Sequence, residues 1–266
     1  MRETEAQKQY LKKIRNRRRQ VAVLRLSLFI GFLILWEAAA RLGWIDSFIF
    51  SSPREIGSTF VRMLKEQALL SHIGITLAET LLSFLLVLVI SVAAAVLLWL
   101  FPRFAEVSEP YMVVLNSLPK SALAPLLIVW LGANMRTIIV AGMSVALFGS
   151  IMNLYTGFRE TDPDMLKLIR TLGGKKAACL SKVVLPASVP YLISTFKVNI
   201  GLCLVGVVIG EFIGARKGLG YLIIYGSQVF KLNMVILSIV ILCLIATALY
   251  ALLGLLEKHY LKRRRG

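Results

Sequence analysis

Acidic residues and histidines are scarce in this sequence: 14 Asp and Glu stand against 31 Lys and Arg, with only two His in 266 residues. So few carboxylates and imidazoles leave little from which to build a metal centre or an acid–base pair. No His/Asp/Glu cluster has metal-ligand spacing, no Ser/His pair stands out, and no phosphate-cradling glycine loop occurs. No catalytic residue and no metal ligand is therefore assigned. The three cysteines, Cys179, Cys203 and Cys243, are odd in number, lack metal-ligand spacing, and read as small buried hydrophobes. There is no repeat of solenoid period and no low-complexity tract.

What the chain has in excess is apolar surface. It is 58% hydrophobic with a mean hydropathy of +0.76, more than one soluble core could hide, so lipid must be much of its solvent. Crossing about 30 Å of hydrocarbon at about 1.5 Å per residue takes roughly 20 apolar residues. Six segments qualify: about Val21 to Ala40, Ile75 to Leu100, Pro110 to Leu131, Thr137 to Thr156, Pro190 to Ile213 and Met234 to Leu256. The expected fold is all-α and polytopic, with a basic N-terminal arm over 1–20, a six-span domain over 21–256 and a basic tail over 257–266. A short surface helix from Glu55 to Lys65 follows Ser51-Ser52-Pro53.

The clusters Arg17-Arg18-Arg19 and Arg263-Arg264-Arg265 abut long apolar segments, which explains the positive charge without nucleic acid. With six spans and a cytoplasmic N-terminus, cytoplasmic pieces carry twenty Lys and Arg and the opposite face eight, which puts both termini inside. Ala38-Ala39-Ala40 resembles a signal-cleavage site, but the preceding apolar run is of spanning length and more spans follow. A retained first helix is the more economical reading.

One cytoplasmic loop, 160–186, is too regular to be a tether. Asp162 is a natural N-cap, Pro163 suits the first helical position, and Asp164 places negative charge at the positive end of the helix dipole. Met165, Leu168, Ile169 and Leu172 share one face, with Lys167, Arg170 and Thr171 on the other. Gly173-Gly174 ends this helix, and a second is expected from about Lys175 to just before Pro186. By residue chemistry alone, such a pair is either a stiff lever for a partner or an interfacial helix on lipid headgroups.

The same residues resemble the loop of bacterial ATP-binding cassette (ABC) importer permeases, whose pattern is Glu-Ala-Ala, three residues, Gly, nine residues, Ile, one residue, Leu-Pro. Here Gly173 is followed by nine residues and then Val183-Val184-Leu185-Pro186, while Lys167-Leu168-Ile169 stands where the family has Glu-Ala-Ala. A base thus replaces the family's acid. Leu35-Trp36-Glu37, Ser52-Pro53, Leu118-Pro119-Lys120 with Ala124-Pro125-Leu126, and Gly210-Glu211-Phe212 with Gly218-Leu219-Gly220-Tyr221-Leu222-Ile223 resemble the sulfonate, taurine, nitrate and thiamine-precursor branch. Nearly the whole chain after the basic arm is covered.

The resemblance implies a non-enzymatic permease subunit in the bacterial cytoplasmic membrane. It implies a second permease copy, forming a homodimer, a pair of cytoplasmic ATPases holding the ATP and Mg, and an external binding protein that delivers a small solute. Asp162, Lys167, Leu168, Ile169, Arg170, Leu172, Gly173, Leu185 and Pro186 would form the ATPase-coupling segment.

Polar residues within the spans are candidates for the pathway. Asn116, Ser117 and Lys120 sit with Pro119 and Pro125 in a third segment that cannot be an undisturbed helix. Its break either lines the pathway or is a kink whose polar groups bond neighbouring helices. Lys197 either snorkels or pairs within the bundle, or offers a cation to an anionic solute. Glu211 and Glu79, near outer span ends, are structural partners, gate residues or, less readily, ligands; Asn134, Asn153 and Asn199 form no recognisable site. An integral-membrane enzyme would need an active-site cluster, and His72 and His259 fall on opposite sides. A self-sufficient secondary transporter would need coupling carboxylates near the midplane, whereas the acids lie mainly at span ends.

Overall fold

A computed structural model describes residues 5–66 and 68–265, and among these every element is helical. The chain opens with α1 (Glu5–Arg41), a four-residue α2 (Ser47–Phe50) and α3 (Pro53–Lys65). Ser52 starts α3 by accepting a 3.3 Å bond from Glu55 N–H, and Pro53 occupies the first turn, where its missing donor costs nothing. The helix α4 (Ala68–Leu100) then runs for 33 residues.

Next come α5 (Pro102–Ser117) and α6 (Lys120–Leu131), followed by α7 (Met135–Arg159), which Asn134 caps by accepting from Arg136 N–H and Thr137 N–H. A short α8 (Pro163–Thr171) leads to α9 (Lys176–Cys179), a π turn (Leu180–Val184) and α10 (Leu185–Gly214). Finally α11 (Leu219–Gln228) and α12 (Leu232–Arg265) close the chain.

Five stretches are long and apolar enough to cross a membrane: Lys13–Arg41, Ala68–Leu100, Met135–Arg159, Lys176–Gly214 and Leu232–Leu255. A sixth crossing exists only if α5 and α6, bent by 94° at their junction, count as one broken span. The third segment, expected to be disturbed at its prolines, is thus two helices, because Leu118 turns extended and Pro119 cannot continue α5.

The centre of the bundle is α4, α7 and α10. These helices meet at small residues: a methyl at Gly206 would lie 2.8 Å from Ala141 O and from Gly142 Cα, and one at Gly142 would lie 2.6 Å from Ser83 Oγ. Such close backbone approach replaces the hydrophobic drive that lipid cannot supply. One apolar cluster, Leu154, Phe158, Ala95 and Val184, closes the end that carries α8, and another, Leu69, Leu219, Leu222 and Leu237, ties α4 to α11 and α12. The span of α1 has none of its window buried within the chain.

Two expectations are corrected. The second helix of the 160–186 loop does not stop before Pro186: α9, the π turn and α10 run on as one rod from Lys176 to Gly214. Pro186 has no amide and would crowd the carbonyl one turn back in a regular helix. Here Leu185 N–H reaches back to Leu180 O instead, and the widened turn admits the ring. The three cysteines are not alike either: Cys179 and Cys203 are buried, whereas Cys243 is exposed on α12, where an apolar side chain suits hydrocarbon. The second basic cluster and His259 have side chains outside those described.

Candidate functional site

The α8 segment forms as its caps dictate. Asp162 Oδ1 accepts from Asp164 N–H at 2.9 Å, and Gly173, at φ +82°, turns the chain so that its N–H reaches Arg170 O at 2.9 Å and Gly174 N–H reaches Ile169 O at 2.9 Å. Leu166 packs against the Phe158 and Val184 cluster, which Leu185 also joins, so the helix is seated on the bundle rather than tethered to it. Seating by Leu166 leaves Met165, Leu168 and Leu172 outward, 53%, 54% and 75% exposed. Ile169 is half-buried, and Pro186 is exposed. Lys167, standing where a family acid is expected, pairs with Asp164 at 2.9 Å, with both side chains largely in solvent, so the pair adds little stability. Arg170 is exposed beside it.

At the 94° break, Asn116 and Ser117 end α5 on an uncovered surface, with Ser117 Oγ returned to Val113 O at 2.8 Å. Asn116 approaches Gly149 of α7. Lys120 begins α6, half-buried, donating back across the break to Leu115 O while its ammonium lies 5.7 Å from the Phe148 ring centre. No side chain caps the α6 N-terminus. Lys197 is engaged elsewhere: it pairs with Glu257 of α12 and lies over the Tyr250 ring. Asn153 is exposed, and Asn199 is buried.

Glu211 belongs to a third arrangement. It is 1% exposed, and its carboxylate accepts from Thr76 Oγ1–H at 2.6 Å and from Gly220 N–H at 2.5 Å. Thr76 in turn accepts from Leu219 N–H at 2.8 Å, and His72 Nδ1 accepts from Gly218 N–H at 2.9 Å while its ring stacks on Tyr221. The first amides of α11 are thus satisfied by one side chain of α10 and two of α4, a cap assembled from distant elements. Gly218, at φ +116°, lies directly against the Glu211 carboxyl, a position only glycine fills. Glu79, 2% exposed, lies beside it, and its Oε2 has no hydrogen-bond partner among the described residues. Thr76 and His72 carry no sequence signal of this role; the acid followed by paired glycines at Glu211, Gly218 and Gly220 does.

Five candidate crossings, or six if α5 and α6 count as one broken span, around a close-packed three-helix centre with a seated helical projection define a polytopic α-helical membrane protein. Residues 87–265 match the family described as the binding-protein-dependent transport system inner membrane component. A probable ABC transporter permease protein of Haemophilus influenzae is 30% identical over 87% of this chain and 94% of its own length. The putative aliphatic sulfonates transport permease protein SsuC of Bacillus subtilis is 27% identical over 87% of this chain and 84% of its own. The formylaminopyrimidine transport permease protein ThiX of Halalkalibacterium halodurans is 25% identical over 73% and 76%.

Among solved structures, the inward-facing MetNI methionine ABC transporter shares the fold, with a TM-score of 0.64, 18% identity, and 73% of this chain and 97% of that one covered. An amino acid ABC transporter with histidines does so at 0.61 and 19%, over 75% and 98%. The chain belongs to this family of ABC-importer permease components and is a multi-pass inner-membrane protein.

Proposed function

We propose that two copies of this chain form the pathway of an importer for a small solute, sulfonate-, nitrate- or thiamine-precursor-like. A pair of ATPases holding ATP and Mg docks on α8 from the cytoplasm, where both termini also lie, and an external binding protein loads the other face. The observation that carries this is the mounting of α8: seated on the bundle by Leu166, it presents Met165, Leu168 and Leu172 to solvent, where three apolar side chains are costly unless a partner covers them. ATP closing the ATPase dimer would draw two such helices together, and the α9–α10 rod would pass the motion into the spans. Relatives named for aliphatic sulfonates and formylaminopyrimidine support the solute class.

Asn116, Ser117 and Lys120 at the break are the residues this reading places on the path. Lys197 and Glu211 are less suited, each being engaged with other helices.

Affinity purification of the tagged chain with its ATPase in mild detergent tests the docking. Leu168→Asp removes a contact of roughly 2 kcal/mol and sets a charge in its place, so the complex should weaken at least about 30-fold. Undiminished ATPase recovery with that variant contradicts docking through α8.

A further inference from the structure

An open groove of about 720 Å³ lies where α4 ends and α5 begins, with Leu97, Phe101 and Phe104 as its wall. All three are substantially exposed, at 45%, 57% and 52%. Two cations line the same groove: Arg103, in the first turn of α5, and Lys176, the first residue of α9, whose ammonium reaches Leu100 O at 3.4 Å. Among the described residues no acidic side chain lines it.

Its level in the membrane follows from the helices. The apolar run of α4 stops at Leu100, and Trp99, one residue earlier, packs in the Phe158 and Val184 cluster at the end that carries α8. The groove therefore straddles the edge of the hydrocarbon on the α8 side, its wall on the apolar side and its cations at headgroup depth. An apolar slot beneath two cations matches one chemistry: an amphiphilic anion with an acyl chain along Leu97 and Phe104 and a phosphate between Arg103 and Lys176.

We infer that this groove is a binding site for an anionic phospholipid, which ties the α4–α5 junction to the root of the segment following α8. The lipid joins two pieces of chain 76 residues apart in sequence, adding to the Lys176 bond to Leu100 O and to the packing of Trp99 in the Val184 cluster. Its occupant sets how stiffly α9 is held beneath α8. Binding concerns the permease alone, so it stands or falls separately from ATPase docking; only the consequence for coupling rests on the proposed importer function.

The test is native mass spectrometry of the full chain in detergent, titrated with phosphatidylglycerol, phosphatidylcholine or glycerol phosphate. Variants are Arg103→Gln/Lys176→Gln and, as a control of equal charge change at the other face, Arg216→Gln/Lys217→Gln. All four side chains lie outside the buried core. Phosphatidylglycerol should bind the wild type and the control alike and the Arg103/Lys176 variant about 30-fold more weakly, the loss expected from two headgroup cations. Phosphatidylcholine and glycerol phosphate should bind weakly throughout, since each lacks half of the required chemistry. Equal phosphatidylglycerol retention in wild type and double variant overturns the inference, as does equal loss in the control. Unchanged lipid retention with reduced ATPase recovery would also overturn it, reassigning the two cations to the ATPase interface.

Discussion

Gly218→Ala perturbs the α11 cap in two separable ways. Its backbone, at φ +116° and ψ 165°, is a region open essentially to glycine, and a Cβ there costs about 1–3 kcal/mol. The same Cβ would overlap the Glu211 carboxyl, which Thr76 and Gly220 hold in place, adding about 1–3 kcal/mol. The single variant should therefore lose about 4 kcal/mol. Glu211→Ala deprives Gly220 N–H and Thr76 O–H of their acceptor, at about 1–3 kcal/mol each, though Thr76 regains part by bonding its own helix backbone. Combined, the two changes must cost less than their sum, by about 2 kcal/mol, because deleting the carboxyl removes what the new methyl strikes.

Gly43→Ala serves as the backbone control, with φ +71° and nothing within 4 Å of the added Cβ. Midpoints of SDS-induced unfolding in mixed micelles, followed by far-UV circular dichroism, give the four values. Additivity within about 0.5 kcal/mol would refute the claim that the carboxyl packs on Gly218.

Gly206→Val should destabilise the α7–α10 contact by about 3 kcal/mol, since its Cβ meets backbone at 2.8 Å, while Gly201→Val, with open space around it, should stay within about 1 kcal/mol; the same unfolding assay decides. Gly173→Val sets a β-branched residue at φ +82° and should leave ATP hydrolysis running in the reconstituted complex while transport falls several-fold; unchanged coupling counts against the turn's role. Lys197→Met should cost about 1–3 kcal/mol by stranding Glu257, and adding Glu257→Gln should recover more than half; no recovery means that the pair is not what Lys197 supplies.

Segments governed by local chemistry were legible in the sequence. Spans follow from runs of apolar residues, α8 from Asp162, Pro163 and Gly173, and the interruption of the third segment from Pro119. What depended on distant partners was not. The cap on α11 joins Glu211 to Thr76, 135 residues away, and Lys197 meets Glu257 60 residues on, contacts fixed by how helices rotate against one another. Pro186 misled because a proline usually stops a helix, whereas one π turn let the rod continue. Cys243 misled because an apolar run in a membrane has an exposed side as apolar as its buried one.

Under the proposed function this chain conducts a solute only when an external ATPase drives it through α8. Uptake of a labelled sulfonate, nitrate or pyrimidine into proteoliposomes carrying the chain, its ATPase and its binding protein tests this most directly. Uptake should need ATP on the α8 side and disappear with Leu168→Asp, while that variant still folds and inserts. ATP-independent uptake by the chain alone would contradict it and make the protein a self-sufficient transporter.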